Sequence, residues 1–155
     1  MGYKKIETVI PRFSRSYGPT TLATDTKASS QFIHDALNGK DIVLKSEGNQ
    51  FYSYTYVADA VSGLLTVMLK GKDGDAYNVA DTSSCIHLKD LAEIIAEDAG
   101  THVVFDLPNA TEQAGFSKAT VACQSGLKLN QLGWSSGYTI PEGIARTLTI
   151  LKESR

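Results

Sequence analysis

The chain has 155 residues, 42% of them hydrophobic and 21% charged, with a net charge of −2. That length supports one domain over residues 1–155 with a core of its own, and 15 basic against 17 acidic residues leave no basic footprint for nucleic acid or an anionic membrane. No apolar run approaches the ~18 residues needed to span a bilayer, and the basic start Met1-Gly2-Tyr3-Lys4-Lys5 leads into no apolar signal core, so a cytoplasmic protein is expected.

Residues 7–13 read as a strand, which Pro11 places at an edge or an end because proline cannot donate to a ladder. A Ser-, Thr-, Gly- and Pro-rich loop then runs through Asp25. Ser29 or Ser30 can cap a helix to Asn38 with Phe32, Ile33, Ala36 and Leu37 on its apolar face. Asn38-Gly39 is a good stop, since both tolerate the left-handed conformation. Residues 41–45 form a short strand, Glu47-Gly48-Asn49 a turn, and residues 52–57 an extended stretch rich in aromatic and β-branched side chains.

Asp59 is placed to cap the most periodic helix of the chain, with Val61, Leu64, Leu65, Met68 and Leu69 as its apolar face and Gly71 at its end. A strand at 76–80, a helix at 87–99 stopped by Gly100, and a strand at 102–105 follow. Residues 106–121 read as surface loop and 127–132 as a short helix. The last helix starts at Thr139, where Thr139-Ile140-Pro141-Glu142 matches a capping box, and presents Ile144, Leu148 and Leu151. Alternating helical and extended patterns make this an α/β or α+β domain.

Several chemistries are absent from the sequence. No glycine fingerprint follows an early strand, no tyrosine has a lysine four residues later, and there is no Walker loop, nucleophile elbow or HExxH helix. Cys85 and Cys123 lie far apart, which argues against a disulfide framework or a CxxC metal site and for two reduced cytosolic thiols. His34, His87 and His102 have no metal-ligand spacing. Nothing points to a self-sufficient catalyst, so no catalytic, cofactor-binding or metal-binding residue is assigned.

Two local signals stand out. One is Arg12-Phe13-Ser14-Arg15-Ser16-Tyr17-Gly18-Pro19; the other runs from Gly48 through Gln50, Tyr52, Tyr54, Tyr56 and Val57 to Asp59. From spacing alone, Gly18-Pro19 ends a strand and the tyrosine-rich stretch is an ordinary half-buried strand. Both segments, however, resemble the R-x-x-N-x-Y-G-P and G-x-Q-x-R-x-[FWY]-x-[YH]-V-x-D stretches of the extended short-chain dehydrogenase/reductases, the NAD-dependent nucleotide-sugar epimerases and dehydratases. Ala76-Tyr77-Asn78-Val79-Ala80 resembles that family's strand before a helix. Leu132-Gly133-Trp134 followed by Ile140-Pro141-Glu142-Gly143-Ile144 resembles its approach to the last helix. Each motif is weak; four in the right order are strong.

The resemblance implies the C-terminal, substrate-binding portion of such an enzyme: the last strands of a Rossmann sheet plus a small mixed α/β subdomain, without the N-terminal Rossmann half. A first strand so near Met1 agrees, since a parallel sheet needs neighbours on both faces. The partners implied are a nucleotide sugar, the N-terminal half, and a second copy in a homodimer. NAD belongs to the full-length enzyme and is not expected on this portion.

Position by position, the resemblance puts Phe13 near nicotinamide and sugar, Arg15 where an asparagine touches the sugar-phosphate, and Ile42, Val43 and Lys45 beside the nucleobase. Gln50 falls near the nucleotide, and Tyr52 where an arginine grips the diphosphate. Ile42 and Val43 read equally as core, Lys45 as a solvated strand end, and Gln50 as a turn-bonding residue. Tyr52 in place of arginine removes a bidentate cation, and Arg15 is expected to supply the charge from the facing strand. The leading function is a nucleotide-sugar-binding region inactive by itself. The alternatives are a stand-alone binding or assembly module and a relative without a ligand.

Overall fold

The structure, a computed structural model, describes residues 6–22, 24–107 and 120–154. Its elements in chain order are β1 (Ile10–Phe13), β2 (Arg15–Tyr17), α1 (Ala28–Leu37), β3 (Ile42–Leu44), β4 (Phe51–Tyr56), α2 (Val57–Lys70), β5 (Ala76–Val79), β6 (Cys85–His87), α3 (Leu88–Ala99), β7 (Val103–Phe105), β8 (Val121–Ala122), α4 (Leu127–Asn130) and α5 (Ile140–Glu153).

Strands form three groups. β1 pairs in parallel with β5, and β3 in parallel with β7. β4 is the hub: it runs parallel to β2 and β8 and antiparallel to β6. The chain therefore passes from one sheet to another between Phe13 and Arg15, and β2 occupies part of the stretch expected as loop. A three-residue strand with only Tyr17 buried carries no readable period.

Every residue of β4 after Phe51 is buried, as befits a strand covered on both faces. Tyr52, Tyr54 and Tyr56 join Tyr17 in the main core, against Phe32 and Ile33 of α1, Leu91 and Ile95 of α3, and Ile144 and Leu148 of α5. Each fully buried Ile or Leu there contributes ~1.5–3 kcal/mol relative to an exposed one. A smaller cluster, Val67, Tyr77, Val79, Leu129 and Trp134, lies between α2, β5 and α4.

Helix starts differ from expectation. α1 is entered from Lys27, and Ser29 and Ser30 lie buried in its first turn. Asp25 does the fastening, accepting from Lys27 N–H (3.1 Å) and Ser30 Oγ (3.0 Å). The Lys27 amide holds the Asp25 carboxyl below the usual range. α2 begins at Val57, so Asp59 lies inside it rather than capping it. Its carboxylate instead accepts the backbone N–H groups of Gly137 (2.8 Å) and Tyr138 (3.2 Å), binding α2 to the entry of α5. The Thr139–Glu142 capping box is formed as expected. Gly100 ends α3 in the left-handed conformation at φ 74°.

The apolar stripe of α2 faces outward. Val61, Leu65, Met68 and Leu69 are exposed, Leu69 by 83%, whereas Asp59, Ala60, Gly63 and Val67 are buried. Close approach explains the rotation: a Cβ on Gly63 would stand 2.5 Å from Val79 Cγ1, so the glycine face is the one that can lie against β5.

The two cysteines are joined, contrary to the expectation of free thiols. Cys85 in β6 and Cys123 just after β8 form a disulfide with Cα atoms 5.8 Å apart. Both strands pair with the same stretch of β4, and fold contacts of this kind leave no trace in sequence spacing. Of residues 106–121, expected as loop, 108–119 lie outside the described residues, and Val121 and Ala122 are strand. Among the described residues, no helix is long and apolar enough to cross a membrane, and no group of three His, Cys, Asp or Glu side chains could hold a metal ion.

Candidate functional site

The crossing from β1 to β2 opens a cleft of about 390 Å³. Phe13, Ser14, Arg15 and Ser16 form one wall, Ser53 of β4 with Ala122 and Gln124 the other, and Lys27 at the start of α1 closes an end. Ser14 Oγ is 2.6 Å from Thr55 Oγ1, which ties the crossing to β4. Among the described residues the lining carries two cations, of which Lys27 is ion-paired with Asp25 at 3.1 Å, several hydroxyls, and no carboxylate or imidazole. Guanidinium and hydroxyl groups of this kind can bind an anion or a hydroxyl-bearing ligand.

Arg15 is the outstanding member. Parallel pairing sets it opposite Tyr54, and its guanidinium lies over the ring of Tyr52, with Cζ 3.5 Å from the centroid. Such stacking fixes the plane of the fork while leaving its N–H edge open, and among the described residues it pairs with no carboxylate. Tyr52 is itself buried, so the platform is rigid. Burial pushes the neighbouring Tyr54 phenol up to about 12, partly offset by the Arg15 charge, so that ring stays neutral beside the cleft.

The sequence-derived residues divide. Phe13, 43% exposed, and Arg15 line the cleft, and Tyr52 underlies it. Ile42 and Val43 lie on the β3–β7 pair and Lys45 just after it, and none is among the cleft's lining: Ile42 is fully buried, Val43 is half-exposed, and Lys45 pairs with Asp106. Gln50 immediately precedes β4, where its side-chain Nε2 donates to Ser46 Oγ (3.3 Å) and its backbone carbonyl accepts from Leu88 N–H (2.8 Å). Ser14, Ser16, Lys27, Ser53, Ala122 and Gln124 went unnoticed in the sequence. Ser14 and Ser16, which flank Arg15 in the first motif, and Ser53, inside the second, carried a signal; the others carried none.

Residues 2–80, half of the chain, match the model of the NAD dependent epimerase/dehydratase family, and the chain belongs to that family. It is 28% identical over 142 residues to dTDP-glucose 4,6-dehydratase of Xanthomonas campestris, covering 87% of this chain and 40% of that protein. With UDP-glucuronic acid decarboxylase 3 of Arabidopsis thaliana it shares 34% over 92 residues, 59% of this chain and 26% of that one. The structure of a UDP-glucose 4-epimerase from Thermotoga maritima with UDP-glucose matches 96% of this chain and 47% of its own at a TM-score of 0.82 and 20% identity, a likeness of fold. A dTDP-glucose 4,6-dehydratase from Bacillus anthracis in complex with NAD gives 0.78. The chain spans about 40% of the length of the dehydratase it matches.

A dinucleotide pyrophosphate is held where a strand passes through a glycine-rich turn directly into a helix N-terminus. Among the described residues no strand does so: Gly18 follows β2, but α1 begins only at Ala28. The described residues therefore lack the turn that would cradle a dinucleotide's pyrophosphate.

Proposed function

We propose that this chain is the C-terminal, nucleotide-sugar-binding region of an NAD-dependent sugar epimerase or dehydratase, an isomerase or lyase of cytoplasmic carbohydrate biosynthesis, and that alone it turns nothing over. The carrying observation is Arg15 stacked on Tyr52 at a cleft whose described lining holds no carboxylate. The guanidinium offers the diphosphate the bidentate, charge-assisted grip that a tyrosine at position 52 cannot. Lys27 lines one end, its ammonium shared with the Asp25 carboxylate at 3.1 Å, and the serines suit hydroxyl and phosphoryl oxygens. Phe13, at the end of β1, supplies an apolar surface beside a sugar ring; Ile42, Val43, Lys45 and Gln50 are assigned to the nucleoside side on the resemblance alone.

The N-terminal partner is a dinucleotide-binding half. Two features favour it: the outward apolar flank of α2, and the two-stranded parallel β1–β5 ladder, a pairing that in parallel sheets is extended and covered. Hydride chemistry belongs to that half.

Titrating the purified chain calorimetrically with UDP-, dTDP-, GDP- and CDP-sugars at low salt tests the proposal. Selective heat for one base is expected; silence for all of them would count against it, as would epimerase or dehydratase turnover by the chain alone.

A further inference from the structure

Gln124 reaches the cleft from just beyond β8. Its Nε2 donates to the Phe13 carbonyl at 3.5 Å, and its Oε1 is buried with no hydrogen-bond partner among the described residues. Turning the amide over would set oxygen against the Phe13 carbonyl, so the acceptor is the atom left unmatched. A buried acceptor without a donor is costly, and a bound group carrying an O–H would relieve it.

The position of Gln124 is fastened twice. Its backbone N–H donates to Ser53 Oγ at 2.8 Å, and Ser53, fully buried, lies 3.2 Å from Cys85 Sγ. Cys85 is bonded to Cys123, the residue before Gln124. The crosslink thus pins to β6 the short segment that carries Gln124 over β4.

Resting on the nucleotide-sugar assignment of the cleft, we propose that Gln124 reads the sugar, its Oε1 accepting from a ring hydroxyl, and that the Cys85–Cys123 bond holds it there, so that sugar recognition follows the thiol–disulfide state. Reduction by a dithiol breaks the Sγ–Sγ bond, passes two electrons and two protons to the cysteines, and releases the dithiol as its own disulfide. A small disulfide such as oxidised glutathione reverses it through a mixed disulfide.

The readout is the ratio of affinities for UDP-glucose over UDP, and for dTDP-glucose over dTDP, measured on the oxidised chain. Gln124→Leu is expected to lower the ratio about tenfold for whichever pair binds. Dithiothreitol and the Cys85→Ser/Cys123→Ser variant are expected to lower it in the same direction. An undiminished ratio in Gln124→Leu overturns sugar reading by Gln124. An undiminished ratio on reduction, with the melting transition intact, overturns the fastening role. Failure of the unmodified oxidised chain to bind either nucleotide or sugar nucleotide removes the cleft assignment itself, and this inference with it.

Discussion

Arg15 and Tyr52 are a pair of exchanged residues whose side chains meet. Where the family pattern has asparagine and arginine, this chain has arginine and tyrosine, and the guanidinium rests 3.5 Å above the ring. A cation held over a buried aromatic face keeps its charge and its open edge in one place, so little order has to be imposed when an anion arrives. Arg15→Ala should weaken sugar-nucleotide binding by roughly 1.5–3 kcal/mol, about 10- to 150-fold, and Arg15→Lys should restore only part of it, because an ammonium lacks the planar fork. Calorimetry checks both; an unchanged dissociation constant in Arg15→Ala would detach the residue from the site. The exchange was legible in the sequence because both positions fall inside motifs. Gln124 was not legible, since what joins it to Ser53 is packing across β4 between segments 71 positions apart.

Among the elements, those with local chemistry were read closely and those made by tertiary contact were not. α5 begins where its capping box says, because Thr139 and Glu142 satisfy each other's backbone donors without help from the rest of the fold. Asp59 looked like a cap by the same logic, yet its two backbone partners come from the α5 entry, which no local pattern could announce. The apolar stripe on α2 is legible in the sequence, but periodicity marks an apolar face and not what covers it, and Gly63 decides which side meets β5.

Acid stability belongs at this scale too. The Thr139 backbone N–H and hydroxyl hold the Glu142 carboxyl below its usual value. For Asp81, burial works the other way, but hydrogen bonds from Ser136 and Ser83 outweigh it and leave that carboxyl lowered as well. Folded pKa values below the unfolded ones mean stability that is complete above about pH 4.5 and lost as pH falls through the folded values. The melting temperature should therefore stay level from pH 7 to about 5 and drop below that. The drop should be shallower in Glu142→Gln, whose amide oxygen still accepts from Thr139 without titrating. A decline beginning above about pH 6 would assign the loss to other groups.

For the whole molecule, the dominant facts are a well-packed core around β4, an apolar helix flank without cover, and a chain about 40% the length of the dehydratase it matches. In the 155-residue chain, Leu65→Glu with Met68→Glu should leave the melting temperature nearly unchanged, as surface substitutions do. In a polypeptide that joins the chain to an N-terminal dinucleotide half, the same pair should cost several kcal/mol by burying unpaired charge. Equal effects in both would place the half elsewhere. The family and the α/β class were legible from four motifs in order, whereas the three-way division of strands and the Cys85–Cys123 link depend on long-range pairing.

The most direct measurement is calorimetric titration of the oxidised 155-residue chain with UDP-, dTDP-, GDP- and CDP-sugars at low salt, with Arg15→Ala run in parallel. Saturable heat for one base, lost in the variant, is the predicted result. No saturable heat for any sugar nucleotide, or equal heat with and without the guanidinium, would contradict the assignment of the Arg15–Tyr52 cleft as the diphosphate site.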